Sequence, residues 1–234
     1  MKREILLSVF LIMSLFLFSQ DYTIQKDGEK TISPFSIQAS LGANLGFNSF
    51  PTGIVTTTGD DVMIAGGSGG PLSLGLGYTI KNRLEVNGSF MIISTGPNIT
   101  NASVSMDRTA YQVCIKYKIN SNPKKGWLIG IGANYMTNIK LDIDASKLIN
   151  GEHLVLDYKD SFSPVILLSY QYNFSSKVGF IVDFPLQFNS YTLDKFSANN
   201  VNIPLYMLNS QANANFKKID AAGLGFWFGF VVHI

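Results

Sequence analysis

Eight times along this chain, large nonpolar residues alternate with small or polar ones, and a period of two belongs to an extended strand with two unlike faces. The last instance is the plainest. In Gly223 to Ile234, "GLGFWFGFVVHI", one row is Leu224, Phe226, Phe228, Phe230, Val232 and Ile234. The other is Gly223, Gly225, Trp227, Gly229, Val231 and His233. The same alternation runs through residues 35–48, 72–80, 84–92, 109–119, 127–135, 165–174 and 178–188.

The connectors sharpen the pattern. Residues 81–83, 120–126 and 175–177 leave room only for tight turns, whereas 49–71, 94–107, 137–163 and 189–220 are long. Short and long alternate strictly, as in an up-and-down meander with hairpins at one end and displayed loops at the other. A closed meander carries its nonpolar row either inside, in water, or outside, in lipid. An eight-stranded barrel has an interior only just wide enough for side chains to fill. The nonpolar rows, dense in Phe, Tyr, Leu and Ile, would overfill it, while the Gly, Ser, Asn and Gln rows suit a narrow polar interior.

The bulky row is therefore predicted to face outward, and leaving one such Phe in water would forfeit on the order of 2 kcal/mol. Lipid removes that cost, provided every backbone polar group is paired, as closure achieves. Trp127, Tyr117, Tyr78 and Phe174 fall near the tight turns, and Tyr135, Phe188 and Phe47 near the loops, where interfacial aromatic girdles belong. The predicted fold is an all-β, eight-stranded antiparallel up-and-down transmembrane β-barrel over residues 35–234, expected to be a monomer.

Residues 1–19 have a secretory signal peptide's layout: Met1-Lys2-Arg3, an apolar run from Ile5 to Phe18, and a small residue at Ser19. Residues 20–34 then form a predicted periplasmic N-terminal segment. No Cys follows the apolar run, which argues against a lipid anchor. Cys114, the single cysteine, excludes an internal disulfide. A formal net charge of +2 argues against a nucleic-acid partner.

"YKDSFSPVILLSYQYNFSSKVGFIVDFPLQFNSYTLD", Tyr158 to Asp194, resembles the OmpW family of small outer-membrane barrels, as does "YKINSNPKKGWLIGIGANY", Tyr117 to Tyr135. The resemblance implies a monomeric barrel in the outer membrane of a Gram-negative bacterium, surrounded by lipid and lipopolysaccharide. It also implies a narrow, porin-like channel or binding site for small hydrophobic molecules. The final strand is similar to the signal read by the outer-membrane assembly machinery, with Gly229, Phe230, Val232 and Ile234 in the alternating positions. Its last residue, Ile234, departs from the usual aromatic. Two other readings stand beside the conduit: a non-transporting structural or adhesive surface barrel, and a lipid-modifying barrel enzyme.

Candidate site residues follow from the inward rows and loops. Glu85, Gln112, Lys116, Lys118, Asp183 and His233 should be the polar and charged groups of the lumen, with an ion pair between Glu85 and Lys116 or Lys118, since unpaired charges in a narrow interior are costly. Met91, Leu128 and Leu167 on the same rows would form a plug favouring the non-transporting reading. In the last long loop, Ile203, Leu205, Tyr206, Met207 and Leu208 should cap the mouth or line an apolar entrance. His153 lies among Asp142, Asp144, Glu152, Asp157 and Asp160, a pairing that an enzyme would need and that a solvated loop explains as well. No nucleophile stands at a telling spacing, so no enzymatic activity, cofactor or metal is expected.

Overall fold

The computed structural model describes residues 32–55, 59–81, 83–96, 98–99, 102–120, 122, 124–146, 152–208 and 215–234. The predicted signal peptide, and the N-terminal segment up to residue 31, lie outside these. Eight strands make the barrel: β1 (Phe35–Gly46), β2 (Gly70–Ile80), β3 (Leu84–Thr95), β4 (Ala102–Lys118), β5 (Lys125–Asp144), β6 (Ser161–Asn173), β7 (Val178–Ala198) and β8 (Lys218–His233). Each pairs antiparallel with the next, and β8 returns to β1, with Ser36 opposite His233 and Gly46 opposite Gly223. Closure is complete, and the chain is an eight-stranded transmembrane β-barrel. Gly229 lies on the inner face of the closing seam opposite Ser40, where a Cβ would strike the Ala39 carbonyl and the Ser40 side chain.

Large nonpolar side chains face away from the axis: Leu41, Leu72, Val113, Ile131, Phe226 and Phe230 are exposed, Ile131 at 69 %. Aromatic rows bound this belt. Phe90, Tyr111, Tyr135 and Phe162 are successive cross-strand neighbours on β3, β4, β5 and β6 at the loop side. Trp127 packs on Tyr170 with ring centroids 5.1 Å apart at the turn side. Eight residues at ~3.3 Å each, tilted by about 40°, separate Trp127 from Tyr135 by roughly 20 Å along the membrane normal, close to the height of a transmembrane barrel's apolar band.

Four strands do not stop at the loop-side girdle, and this corrects the predicted loop lengths. β4 begins at Ala102, β5 runs on to Asp144, β7 to Ala198, and β8 starts at Lys218, all within segments read as loops. The strand His153–Tyr158 fills the gap above β6, pairing with the outer ends of β5 and β7. In this extension the faces exchange chemistry. Val104, Met106, Ile139, Leu141, Ile143, Leu156, Tyr158, Tyr191, Leu193 and Ile219 point inward and are buried. Outside, Asp107, Lys140, Asp157 and Lys195 follow one another as cross-strand neighbours of alternating charge. Below the girdle the barrel is nonpolar outside, and above it nonpolar inside. The expectation of a polar interior therefore holds for the membrane segment alone.

A bulge makes the exchange possible in β5. Met136 and Ile139 both face inward, so one residue has been inserted, and Asn138 takes it up at φ 51°. Without it, Lys140 and Asp142 would enter the core and Ile139, Leu141 and Ile143 would meet water.

The cap over the extension comes from the first long loop. Ser49–Val55 and Asp61–Ala65 form a hairpin whose Ile54, Val62 and Ile64 are buried in the same cluster. Of the fourth-loop residues expected at the mouth, Leu208 packs against that cluster and Ile203 is half-buried in the short strand Val201–Ile203 beside β7. Leu205, Tyr206 and Met207 form one 3-10 turn in solvent, Tyr206 at 82 % exposure. The hairpin already covers the core, so nothing remains there for them to cover.

Placing a charge on the two outer surfaces separates them. Ile131→Arg should cost about 2–4 kcal/mol of unfolding free energy in lipid vesicles, the range for a cation at mid-membrane. Ser105→Arg, on the outer face above the girdle, should change it by less than about 0.5 kcal/mol. Urea titration of refolded protein, followed by tryptophan fluorescence, measures both.

Candidate functional site

The barrel interior is divided into two compartments, each built by its own stretch of the inward rows. In the membrane half, Glu85 and Lys116 are opposite one another on β3 and β4, and the Lys116 ammonium lies 3.6 Å from Glu85 Oε1. It also lies 3.7 Å from Asp183 Oδ1 on β7, three strands further round the ring, so one cation joins opposite walls of the lumen. Supporting donors complete the network. Gln38 Nε2 donates to Glu85 Oε1 at 3.2 Å, Asn87 Nδ2 to Gln38 Oε1 at 3.1 Å, and the Ser169 hydroxyl to Asp183. Gln112 Nε2 donates to Asn134 Oδ1 at 2.8 Å.

Lys118 is buried nearer the tight turns and has no carboxylate within ion-pair distance among the described residues. His233 is buried there too, its Nε2 3.3 Å from Asn173 Oδ1 and 3.4 Å from Gln171 Nε2. Thus all six lumenal candidates face inward, but only Glu85, Lys116 and Asp183 gather into one ionic cluster. Of the assembly-signal residues, Gly229 is inward, while Phe230, Val232 and Ile234 stand exposed on the outer face. Leu128, Leu167, Cys114, Val165, Ile181, Trp227 and Val231 are buried nonpolar residues on the inward rows of this half.

The outer compartment starts where Met91, Ala110 and Met136 face inward at one level of β3, β4 and β5. Met106, Ile93, Ile139, Leu141, Ile143, Leu156 and Leu193 continue it toward the hairpin. All these side chains are inaccessible or nearly so. Thioethers dominate its floor, and unbranched Met side chains repack with little strain.

His153 and Asp142 do meet. His153 Nε2 lies 2.9 Å from Asp142 Oδ1, and Lys140 Nζ lies 3.0 Å from Asp142 Oδ2, all on the polar outer face of the extension. Burial pushes the Asp142 carboxyl upward, but hydrogen bonds from Lys140 and His153 outweigh it and hold the group below the usual carboxylate range. Among the described residues no serine hydroxyl bonds the His153 ring, and the trio consists of the Lys140–Asp142 ion pair with His153 hydrogen-bonded to the same carboxylate.

Sequence reasoning missed the outer compartment, although its signal is present. "IKLDID" at 139–144 and "LVLDY" at 154–158 alternate as cleanly as the membrane strands, and their nonpolar residues keep the numbering parity of the lipid-facing rows of β5 and β6, so the alternation alone does not mark them as inward. Asp183 as the second partner of Lys116 had no such signal, because the barrel's curvature sets the distance across the lumen.

Closed staves, two aromatic girdles and a nonpolar outer belt define a transmembrane barrel of the small outer-membrane type. No protein-family model matches the chain, and no curated protein matches it in sequence. Solved structures share its fold. The outer membrane protein OprG from Pseudomonas aeruginosa is 13 % identical, with a TM-score of 0.57 over 89 % of this chain and 99 % of that one. Neisserial surface protein A is 11 % identical, with a TM-score of 0.48 over 88 % and 100 %. The attachment invasion locus protein Ail of Yersinia pestis is 13 % identical, with a TM-score of 0.43 over 87 % and 99 %.

Lys116→Met leaves two buried carboxylates without a cation and should destabilise the barrel by about 3–5 kcal/mol. Adding Glu85→Gln and Asp183→Asn should recover most of that loss, as chemical-denaturation midpoints of the single and triple variants will show. Acid acts on the extension through Asp142. Its folded pKa lies below the unfolded one, so its stabilisation is present above the ordinary carboxylate range and is lost as pH falls from about 4 through the folded value. The stability difference between wild type and a Lys140→Ala/His153→Ala variant should shrink over that window.

Proposed function

We propose that this protein is an outer-membrane barrel that binds small hydrophobic molecules in the compartment beyond its loop-side girdle. The observation that carries the reading is the inward row's change from polar to nonpolar at Met91, Ala110 and Met136. A barrel meant to pass water and ions has no use for a nonpolar outer half. The bridged Lys116 beneath it forms a polar floor that a nonpolar solute cannot cross cheaply. Such a solute would be received from the loop side and held above the floor. The fold shared with OprG supports the outer-membrane barrel, and the resemblance of Tyr158–Asp194 to the OmpW family supports the hydrophobic ligand.

A second reading, a structural or adhesive surface barrel, is favoured by a different observation. The compartment is filled and covered by the hairpin, and the buried Met91, Leu128 and Leu167 meet the plug criterion. On that reading the nonpolar interior only stiffens an extension that displays the exposed Leu205–Met207 turn.

Enlarging the compartment decides between them. Met91→Ala with Met136→Ala removes side chains from its floor and should cost about 2–5 kcal/mol per site. A nonpolar void stays dry and takes up nonpolar solutes. The double variant should therefore bind radiolabelled decane in lipid nanodiscs several-fold more tightly than wild type, and wild type more than empty nanodiscs. Cells expressing the protein should also take up the label faster than cells lacking it. Equal binding to empty nanodiscs and equal uptake would remove the first reading and leave the second.

A further inference from the structure

Among the described residues, the outer compartment holds one cation, Arg108, and no counter-charge for it. Arg108 sits on β4 opposite Ile93 of β3, facing inward at 3 % exposure. One nitrogen, Nη2, donates to the Ser68 carbonyl at the base of the capping hairpin. Among the described residues, Nε and Nη1 make no well-aligned hydrogen bond, and no carboxylate lies within ion-pair distance. Two phenols share the compartment and the deficit. Tyr191, whose hydroxyl lies against the Arg108 guanidinium, and Tyr158, whose ring centroid is 6.5 Å from that of Tyr191, are both buried, and neither hydroxyl makes a well-aligned hydrogen bond among the described residues. Three buried polar side chains with unused atoms thus converge within walls of Ile93, Met106, Ile139 and Leu193. A guanidinium without a counter-ion in such surroundings is strongly unfavourable, and so is a buried hydroxyl with an unsatisfied hydrogen.

We infer that the molecule bound here is an apolar one ending in a carboxylate, of the medium-chain fatty-acid kind, with Arg108 as its counter-ion and the Tyr158 and Tyr191 hydroxyls as further donors. A single positive charge with two neutral donors matches a monoanion, since a phosphate dianion would remain half-neutralised. The surrounding Met and Ile side chains match a hydrocarbon tail, and Met91 and Met136 of the floor, with Met106 above them, can repack around one. Arg108 also ties the hairpin down, so displacing Ser68 from Nη2 and lifting the cap are linked to loading the site. This inference deepens the proposed function and rests on it.

The test uses the barrel refolded into lipid nanodiscs, with decanoate carrying 13C at the carboxyl as the probe and decanol, acetate and inorganic phosphate as competitors. Wild type should give a bound carboxyl resonance, distinct from the lipid-partitioned one, that stays ionised to lower pH. Arg108→Met should abolish it, and Tyr158→Phe with Tyr191→Phe, which preserves volume, should weaken binding at least tenfold. Decanol should compete at least tenfold less well than unlabelled decanoate, and acetate and phosphate should not compete at millimolar concentration. Heat-modifiable gel mobility verifies folding. Should Arg108→Met fail to fold, the double tyrosine variant decides: unchanged decanoate binding there overturns the inference. Decanol competing as well as decanoate also overturns it while leaving the apolar-binding reading intact, with Arg108 serving only as the hairpin's anchor. Displacement by phosphate or acetate overturns the hydrocarbon part. No binding of decanoate, decanol or decane defeats both readings together.

Discussion

Lipid offers a backbone no hydrogen-bonding partner, and the seam between β1 and β8 is this barrel's answer to that constraint. Once Ser36 to Gly46 is paired with His233 to Gly223, every stave in the membrane has two neighbours and no edge is left open. Closure at eight strands then sets the radius, and the radius sets what the interior can hold. A lumen this narrow is filled by the side chains that line it. The chemistry of those side chains, and not an open bore, determines what the barrel can do.

The same wall serves two solvents. Between the girdles it stands in lipid, so nonpolar residues face out and polar ones satisfy each other within. Beyond the Phe90–Tyr111–Tyr135–Phe162 row it stands in water, and the arrangement is that of an ordinary soluble core, with charged neighbours outside and Ile, Leu and Met inside. A continuous strand keeps its phase through the crossing, so the two halves demand opposite patterns from one alternation. β4 and β7 meet the demand by changing residue types along the inward row. β5 and the sixth stave meet it with a shift of phase, at Asn138 and at the Lys159–Asp160 break between His153–Tyr158 and β6.

Division of the interior gives each half a separate physical task. The Glu85–Lys116–Asp183 cluster is held by charges that must stay together, because removing any one strands the others in a low-dielectric space. It ties β4 to β3 and, across the lumen, to β7. The outer compartment is held by dispersion and burial, which are non-directional and tolerate repacking around a guest. Its polar exceptions are Arg108, Tyr158 and Tyr191, and they are where a guest's own polar end would be recognised. Covering the whole is a hairpin from the first loop, and the nonpolar turn of the fourth loop is left facing water.

Strand number, closure, the lipid-facing row and the inward placement of Glu85, Lys116 and Asp183 were all legible in the amino-acid sequence, because a period of two assigns every residue of a strand to a face without reference to any other strand. An ion pair of Glu85 with Lys116 or Lys118 was legible too, since neighbouring antiparallel strands bring these inward residues to the same end of the barrel, and the register of the folded strands selects Lys116. Three things were decided only by the folded structure. Asp183 reaches Lys116 because curvature brings distant staves face to face across the lumen. Ile139, Leu141 and Ile143 belong to the core because a single inserted residue reversed the phase, and a local pattern cannot say which of two phases points inward. Loop one supplies the capping hairpin, joined by Leu208 and Phe216 of loop four, while Tyr206 and Met207 stay in solvent, because capping depends on shape and position in three dimensions, to which hydrophobicity alone is no guide.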